Sequence, residues 1–463
     1  MRALPLISTG ILLLSGVTTV ACSSTVEETT QGSESAGVGG AGGAGSTSSS
    51  TAVVTVAQAT VSASVTTSVG VGGAGGSGPD IGEPSDIYPA KHPAAPKVIT
   101  LGGPVLKAPK VYPVFFANDK ANIVAGATDF YNKIGSTPYW TATTTEYGVG
   151  PLSSGAPIKL TETAQGATTD DALQAWLAAK LNANDPAFPT PDADTIIALN
   201  YPTGVSIDLQ GSKSCKQFLG YHSSLTLDAA HGNMDVAYLV IPRCSPQATG
   251  MSEIDALTDT GSHELIEGST DPYPLTDHPA YGQVDNAHIF WLLALGGGET
   301  SDMCAQSATA SYNDPDVGYV VQRSWSNKAA LVGKDPCVPP VPGEPYFNSA
   351  PVLNDNVTLG GLGSTIKVKG VQIPIGATKT VEIDLFSEAA TSGPWEVAAY
   401  DYNEYMGGQP ALDFSFDATS GQNGQKLHLD ITPLKVGQYN VEIFFIISKL
   451  GDQQNLWVGV VGN

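Results

Sequence analysis

His263-Glu264-Leu265-Ile266-Glu267 is the run whose residue types and spacing carry the most chemistry in this sequence. On a helix, His263 and Glu267 share a face one turn apart, so an imidazole nitrogen and a carboxylate oxygen can reach one metal ion. Glu264, next to the first of these ligands, is then placed to take a proton from a water that the ion activates. A further ligand must come from elsewhere, and Gly298-Glu299-Thr300-Ser301-Asp302-Met303-Cys304 offers Glu299 and Asp302. Asp302 is preferred because Cys304 can staple it, whereas Glu299 follows the run Gly296-Gly297-Gly298, read as mobile. One histidine with two carboxylates makes a hard site that suits Zn²⁺ first, with Mn²⁺ or Ca²⁺ also admissible. Asp271, in Ser269-Thr270-Asp271-Pro272, reads as a turn residue just past the helix.

The helix itself is written in the flanking residues. Ile254, Leu257 and Leu265 fall near helical spacing, Ser252 is available as an N-cap, and Gly268 and Pro272 read as stops. The competing reading is a surface helix with a solvated histidine and two ordinary glutamates. Of the 7 histidines, those from His222 to His288 cluster around this run. His222 reads as structural, with a catalytic role as its alternative, and His278 and His288 read as loop or core residues, with a substrate-side role as theirs.

The His263–Glu267 run resembles the zincin metallopeptidases, whose H-E-x-x-H helix supplies two ligands and a general-base glutamate. Here Glu267 stands in the second histidine's place. The resemblance implies His263 and Glu267 as ligands, Glu264 as base, and a third ligand of the glutamate-zincin type (Glu299) or the aspartate-zincin type (Asp302).

Around this core, the chain reads as an exported protein. Residues 1–21 have a basic Arg2, an apolar run and a small residue before Cys22, as a signal peptide does. Thr19-Val20-Ala21-Cys22 resembles a bacterial lipobox, which implies a lipid on Cys22; simple secretion is the alternative. Four cysteines remain, and an even number outside the cell implies disulfides. Three pairings are open; Cys215 with Cys244 and Cys304 with Cys337 is preferred because each closes a loop of moderate length. A four-cysteine zinc site competes, but no C-x-x-C spacing occurs.

The 463 residues carry 21 Lys and Arg against 44 Asp and Glu, a formal charge of −23, which argues against nucleic-acid partners and anionic membrane surfaces. With 52 Gly, 32 Pro and only 14% charged residues, β-structure and turns are favoured over helical bundles. Residues 22–80 read as a Gly/Ser/Thr-rich tether; their G-x-G-x-x-G letters have no strand before them and no helix after. Residues 81–338 mix strands and helices. The strands include residues 195–200 (TIIALN) and 236–241 (VAYLVI), and a helix follows Thr169 with Leu173, Trp176, Leu177 and Leu181 on one face. Residues 339–345 (PPVPGEP) form a stiff linker. Residues 346–463 hold turn-punctuated strand candidates at 365–371, 379–386, 395–400, 426–431 and 439–447, and a single histidine, His428. The expected architecture is an α+β domain followed by an all-β sandwich.

The order of segments from GGPVLKAPKVYPVFF through GYHSS and AYLVIPRC to SWSN and Cys337 resembles the secreted phosphate-induced, or EXORDIUM-like, family over about residues 99–337. That resemblance implies an extracellular compartment and a fold, but no reaction. The leading expectation is an exported, lipid-anchored or secreted metal-dependent hydrolase on the outer surface or in the periplasm. It would act on an extracellular protein or peptide, with the sandwich making protein or glycan contacts. A non-catalytic extracellular binding or cell-surface protein with a structural or calcium-type site is the alternative. A serine hydrolase is disfavoured, since no G-x-S-x-G occurs.

Overall fold

Thr195–Tyr201 is buried along its whole length, and Asp235–Pro242 along all but its first residue. Strands buried on both faces require a layer on each side of their sheet, the signature of a parallel arrangement. In the computed structural model, which describes residues 79–359, 366–437 and 440–463, that arrangement is present. The expected signal peptide, Cys22 and nearly all of the expected tether lie outside the described residues.

The first sheet contains β1 (Lys110–Phe115), β2 (Ser153–Ser154), β3 (Ile158–Lys159), β4 (Thr195–Tyr201), β5 (Tyr221–Thr226) and β6 (Asp235–Pro242), in the order β2-β1-β4-β6-β5, with β3 also on β1. Every pairing is parallel except β5 with β6. Side chains of successive strand residues go to opposite faces. Ile196, Ala198, Ala237, Leu239 and Ile241 therefore pack with α1 (Ala121–Ile134) and α3 (Glu253–Thr270). Ile197, Leu199, Val236, Tyr238 and Val240 pack with Leu173, Leu177 and Leu181 of α2 (Asp170–Asn182) on the other face. The mixed helix and strand character was legible; the parallel order of this sheet was not.

The second region is β-rich and sandwich-like. One sheet joins β8 (Phe347–Pro351), β11 (Lys379–Ser387), β15 (Lys426–Pro433) and β13 (Leu412–Phe416) in that order. The other runs β9 (Asp355–Leu359), β10 (Ile366–Gln372), β17 (Gln453–Gly462), β16 (Val441–Leu450), β12 (Trp395–Asp401) and β14 (Ser420–Gly421). Leu427, Leu429 and Ile431 of β15 alternate inward to meet Phe444 and Ile446 of β16 in one core. A short helix, Tyr402–Tyr405, interrupts a region expected to have none.

That core does not stop at the Pro-rich linker. It continues into α4 (Phe290–Leu295) and Met303, with the Trp291 ring 5.6 Å from Trp457 and 6.2 Å from Trp325. Residues at the start of the expected 81–338 unit also bond to the sandwich: Lys426 N donates to Ile81 O and Ser85 N to Asn423 O. The β-rich region thus supports, from behind, the segment that carries Glu299 and Asp302. Among the described residues, no helix is long and apolar enough to cross a membrane.

Candidate metal centre

The helix α3 begins where the sequence predicts, with the Ser252 hydroxyl accepting from Asp255 N at 3.2 Å and Glu253 and Asp255 in the first turn. It ends later than predicted. Gly268 lies inside the helix, and a Cβ there would come within 2.7 Å of Leu239 Cδ2, so this glycine serves close helix–sheet packing and is no stop. Asp271 takes the C-cap. Every residue from Ala256 to Thr270 is buried, which is unusual for a helix so rich in polar groups. The hydroxyls of Ser262, Ser269 and Thr270 satisfy themselves on carbonyls of the preceding turn. His263, Glu264 and Glu267 must find partners elsewhere.

His263 Nε2 lies 3.0 Å from Glu267 Oε2 and 3.5 Å from Asp302 Oδ1. Its Nδ1 lies 3.0 Å from Gln322 Oε1, at the end of β7 (Tyr319–Gln322). As an amide oxygen can only accept, that contact places a hydrogen on Nδ1 and turns the Nε2 lone pair toward the carboxylates when the ring is neutral. Gln322 is fixed in turn by its amide NH₂, which donates to Ser301 O at 2.9 Å. Glu267 Oε1 accepts from the backbone N–H groups of Ser301 and Asp302 at 2.9 and 3.0 Å, so its Oε2 is the oxygen left for a ligand.

The segment bearing Glu299 and Asp302 is well anchored. Trp325 N donates to Thr300 O at 2.7 Å, and α5 (Asp302–Ala305) carries Cys304, which is disulfide-bonded to Cys337. Cys215 pairs with Cys244, so both preferred bridges are present. Gly297 and Gly298, read as mobile, are buried. A Cβ at Gly297 would lie 1.8 Å from Asp302 Oδ2, so only glycine lets the backbone pass this carboxylate. Reduction of Cys304–Cys337 should therefore weaken, without abolishing, metal binding at Asp302 by about tenfold, the usual scale for losing a ligand's support. Zinc titration of the oxidised and reduced full chain checks this; equal affinities would place the third ligand elsewhere.

Two further groups, which the sequence read first as structural, lie beside the predicted five. His222, on β5, has Nδ1 3.5 Å from Glu264 Oε2 and 3.8 Å from Glu267 Oε2, and Nε2 3.3 Å from Glu299 Oε2. Asp271 makes the expected turn contact, with Oδ1 accepting from Ala280 N at 2.7 Å, yet its Oδ2 is buried without a hydrogen bond. His222 Nε2, Glu299 Oε2 and both Glu264 oxygens are likewise buried and make none. No fixed spacing links His222 or Gln322 to α3, so only the fold could reveal them. His278 and His288 pair locally with Asp277 and Asp285, and His428 with Asp417 in the sandwich.

The electrostatics record the strain of this cluster. Burial pushes the Glu264 carboxyl up despite the pull of His263 and His222. Burial, then the charge of Glu267, raises Asp302, and burial with the neighbouring carboxylates raises Glu299 well above the usual range. Burial takes Asp271 to about 6. At Glu267 the upward push of burial is outweighed by His263, so its carboxyl stays low; at His222 the downward push of burial is outweighed by Glu264 and Glu267, so its imidazole is raised. Buried carboxyls that crowd together must bind protons or a cation. The oxygen and nitrogen atoms of His263, Glu267 and Asp302 lie within 4.8 Å of one another, as do those of His222, Glu267 and Glu299, and this donor set fits a divalent ion.

No family model and no curated protein matches this chain. Among solved structures it is similar over 24% of its length to S-layer protein SbsC domains 4 and 5, with 13% identity and a TM-score of 0.15, spanning about half (52%) of that chain. It is similar over 33% of its length to surface layer protein SbsC domains 1–6, at 14% identity and a TM-score of 0.15, spanning 18% of that chain. A chimeric titin Z1Z2 is matched over 20% of this chain and 83% of its own, at 16% identity and a TM-score of 0.14. Likenesses at this level carry no conclusion about the fold or the site.

Proposed function

We propose that this chain is an exported metal-dependent hydrolase of the peptidase class, with a zincin-like centre in which His263, Glu267 and Asp302 hold the ion. The observation that carries the reading is the convergence of these three ligand atoms beside Glu264, whose two buried oxygens make no hydrogen bond. Zn²⁺ suits the site best and Mn²⁺ or Ca²⁺ also fit its carboxylates; bound there, such an ion would supply Lewis-acid polarisation of a carbonyl and of a water. Glu264 accepts the proton that the attacking water loses and returns it to the leaving amine. Gln322 holds the His263 tautomer, and the Ser301 and Asp302 N–H groups hold the Glu267 carboxylate in place. Export is supported by the two disulfides, which persist in oxidising compartments. A lipid on Cys22 would tether the chain, and the sandwich would hold it near a protein or glycan surface.

A second reading rests on burial. His263 and Glu264 are 0% exposed and Glu267 2%, which suits a closed structural site in a non-catalytic exported binding protein. A defined peptide pool incubated with the full chain and followed by mass spectrometry separates the two. The proposal expects cleavage that stops on chelation and returns with Zn²⁺. Stoichiometric metal with every peptide intact would favour the structural reading.

A further inference from the structure

We infer that a second divalent transition-metal ion sits beside the first, held by His222, Glu299 and the same Glu267 oxygen, so that α3 bridges a two-ion centre. This rests on the proposed first ion at His263, Glu267 and Asp302. That ion leaves Asp271 Oδ2 buried without a hydrogen bond, and leaves His222 Nε2 and Glu299 Oε2, also buried without one, facing only each other at 3.3 Å. Native interiors hydrogen-bond almost all such atoms, so poorly satisfied atoms gathered in one place mark a missing partner. His222 is only 8% exposed and Asp271 1%, so bulk water is a poor candidate for that partner.

The bridging role follows from what Glu267 has left to give. Its Oε1 is taken by two backbone N–H groups, so Oε2 must serve both ions. That oxygen stands 3.0 Å from His263 Nε2 and 3.8 Å from His222 Nδ1, between the two imidazoles. One ligand atom from each of His222, Glu267 and Glu299 lies within 4.8 Å of the others, which closes the second set. Asp271 Oδ2 is a further oxygen donor on that side, since it crowds the same glycine, Gly282, that Glu299 Oε1 approaches.

Shared-carboxylate pairs of this kind hold their ions about 3.5–4 Å apart.

The test is metal stoichiometry on the full chain, stripped and then titrated with Zn²⁺. Wild type should take up two ions and His222→Ala one. A single ion in wild type, or two in His222→Ala, would overturn the inference. One ion that is lost in His263→Ala and kept in His222→Ala would remove the second ion and leave the proposed hydrolytic centre standing. No ion at all would remove both. Should His222→Ala fail to fold, Mn²⁺ loading of wild type decides the matter by electron paramagnetic resonance. The bridge predicts an exchange-coupled spectrum at two equivalents, and uncoupled six-line signals at that loading contradict it.

Discussion

Stripping the metal from the full chain at pH 8 should lower its thermal midpoint by about 4 °C, while the same treatment at pH 5 should change it far less. A ligand present at a thousandfold over its dissociation constant stabilises by about 4 kcal/mol, and at about 2 cal/mol/K of unfolding entropy per residue a chain of 463 residues converts this to a shift of about 4 °C. The pH dependence comes from the cluster itself. Glu264, Glu299, Asp302 and Asp271 have folded carboxyls raised above their unfolded values, chiefly by burial. The folded state therefore keeps protons that the unfolded chain releases, and stability is lost as pH rises through the folded values, about 6 for Asp271. His222, also raised, acts in the same direction: its contribution is complete below the unfolded value and disappears as pH climbs through the folded one. Glu267 is held low and acts oppositely, but it is outnumbered. At pH 5 protons do much of what the cation does; at pH 8 only the cation can. Calorimetry of loaded and stripped protein across this range measures the difference. A gap that is the same at both ends would mean that the cluster is not the metal's site.

The second large effect is on rate. Glu264→Gln should leave metal content unchanged and reduce hydrolysis by about 10²–10⁴-fold, the range supplied by a general base. The substitution keeps the side chain's size in a position that is fully buried, so packing survives. It removes the carboxylate proposed to carry a proton from water to the leaving group. Burial also raises the Glu264 carboxyl above its ordinary value, against the pull of His263 and His222. Turnover equal to wild type, at equal metal content, would exclude this residue as the base.

Local spacing made part of this legible. The cap at Ser252 and the i, i+4 relation of His263 and Glu267 are properties of one helix, and both are present as read. Loop length was enough to choose the disulfides. Reading Gly268 as a stop failed because tertiary packing against Leu239 decides that residue, while the run Gly296-Gly297-Gly298, read as mobile, packs closely against Asp302 at Gly297. His222 arrives from an edge strand and Gln322 from another hairpin, so no sequence separation encodes their approach to α3. The parallel sheet was hidden for a related reason: runs such as TIIALN reveal burial on both faces, while the direction of their neighbours is set by the crossover helices.

Elemental analysis of the purified full chain bears most directly on the centre built around α3. At least one transition-metal ion per wild-type molecule, surviving dialysis, and its loss in a folded His263→Ala variant are the predicted results. A wild-type chain that takes up no ion from excess Zn²⁺, or a His263→Ala variant that holds metal as wild type does, would contradict the account.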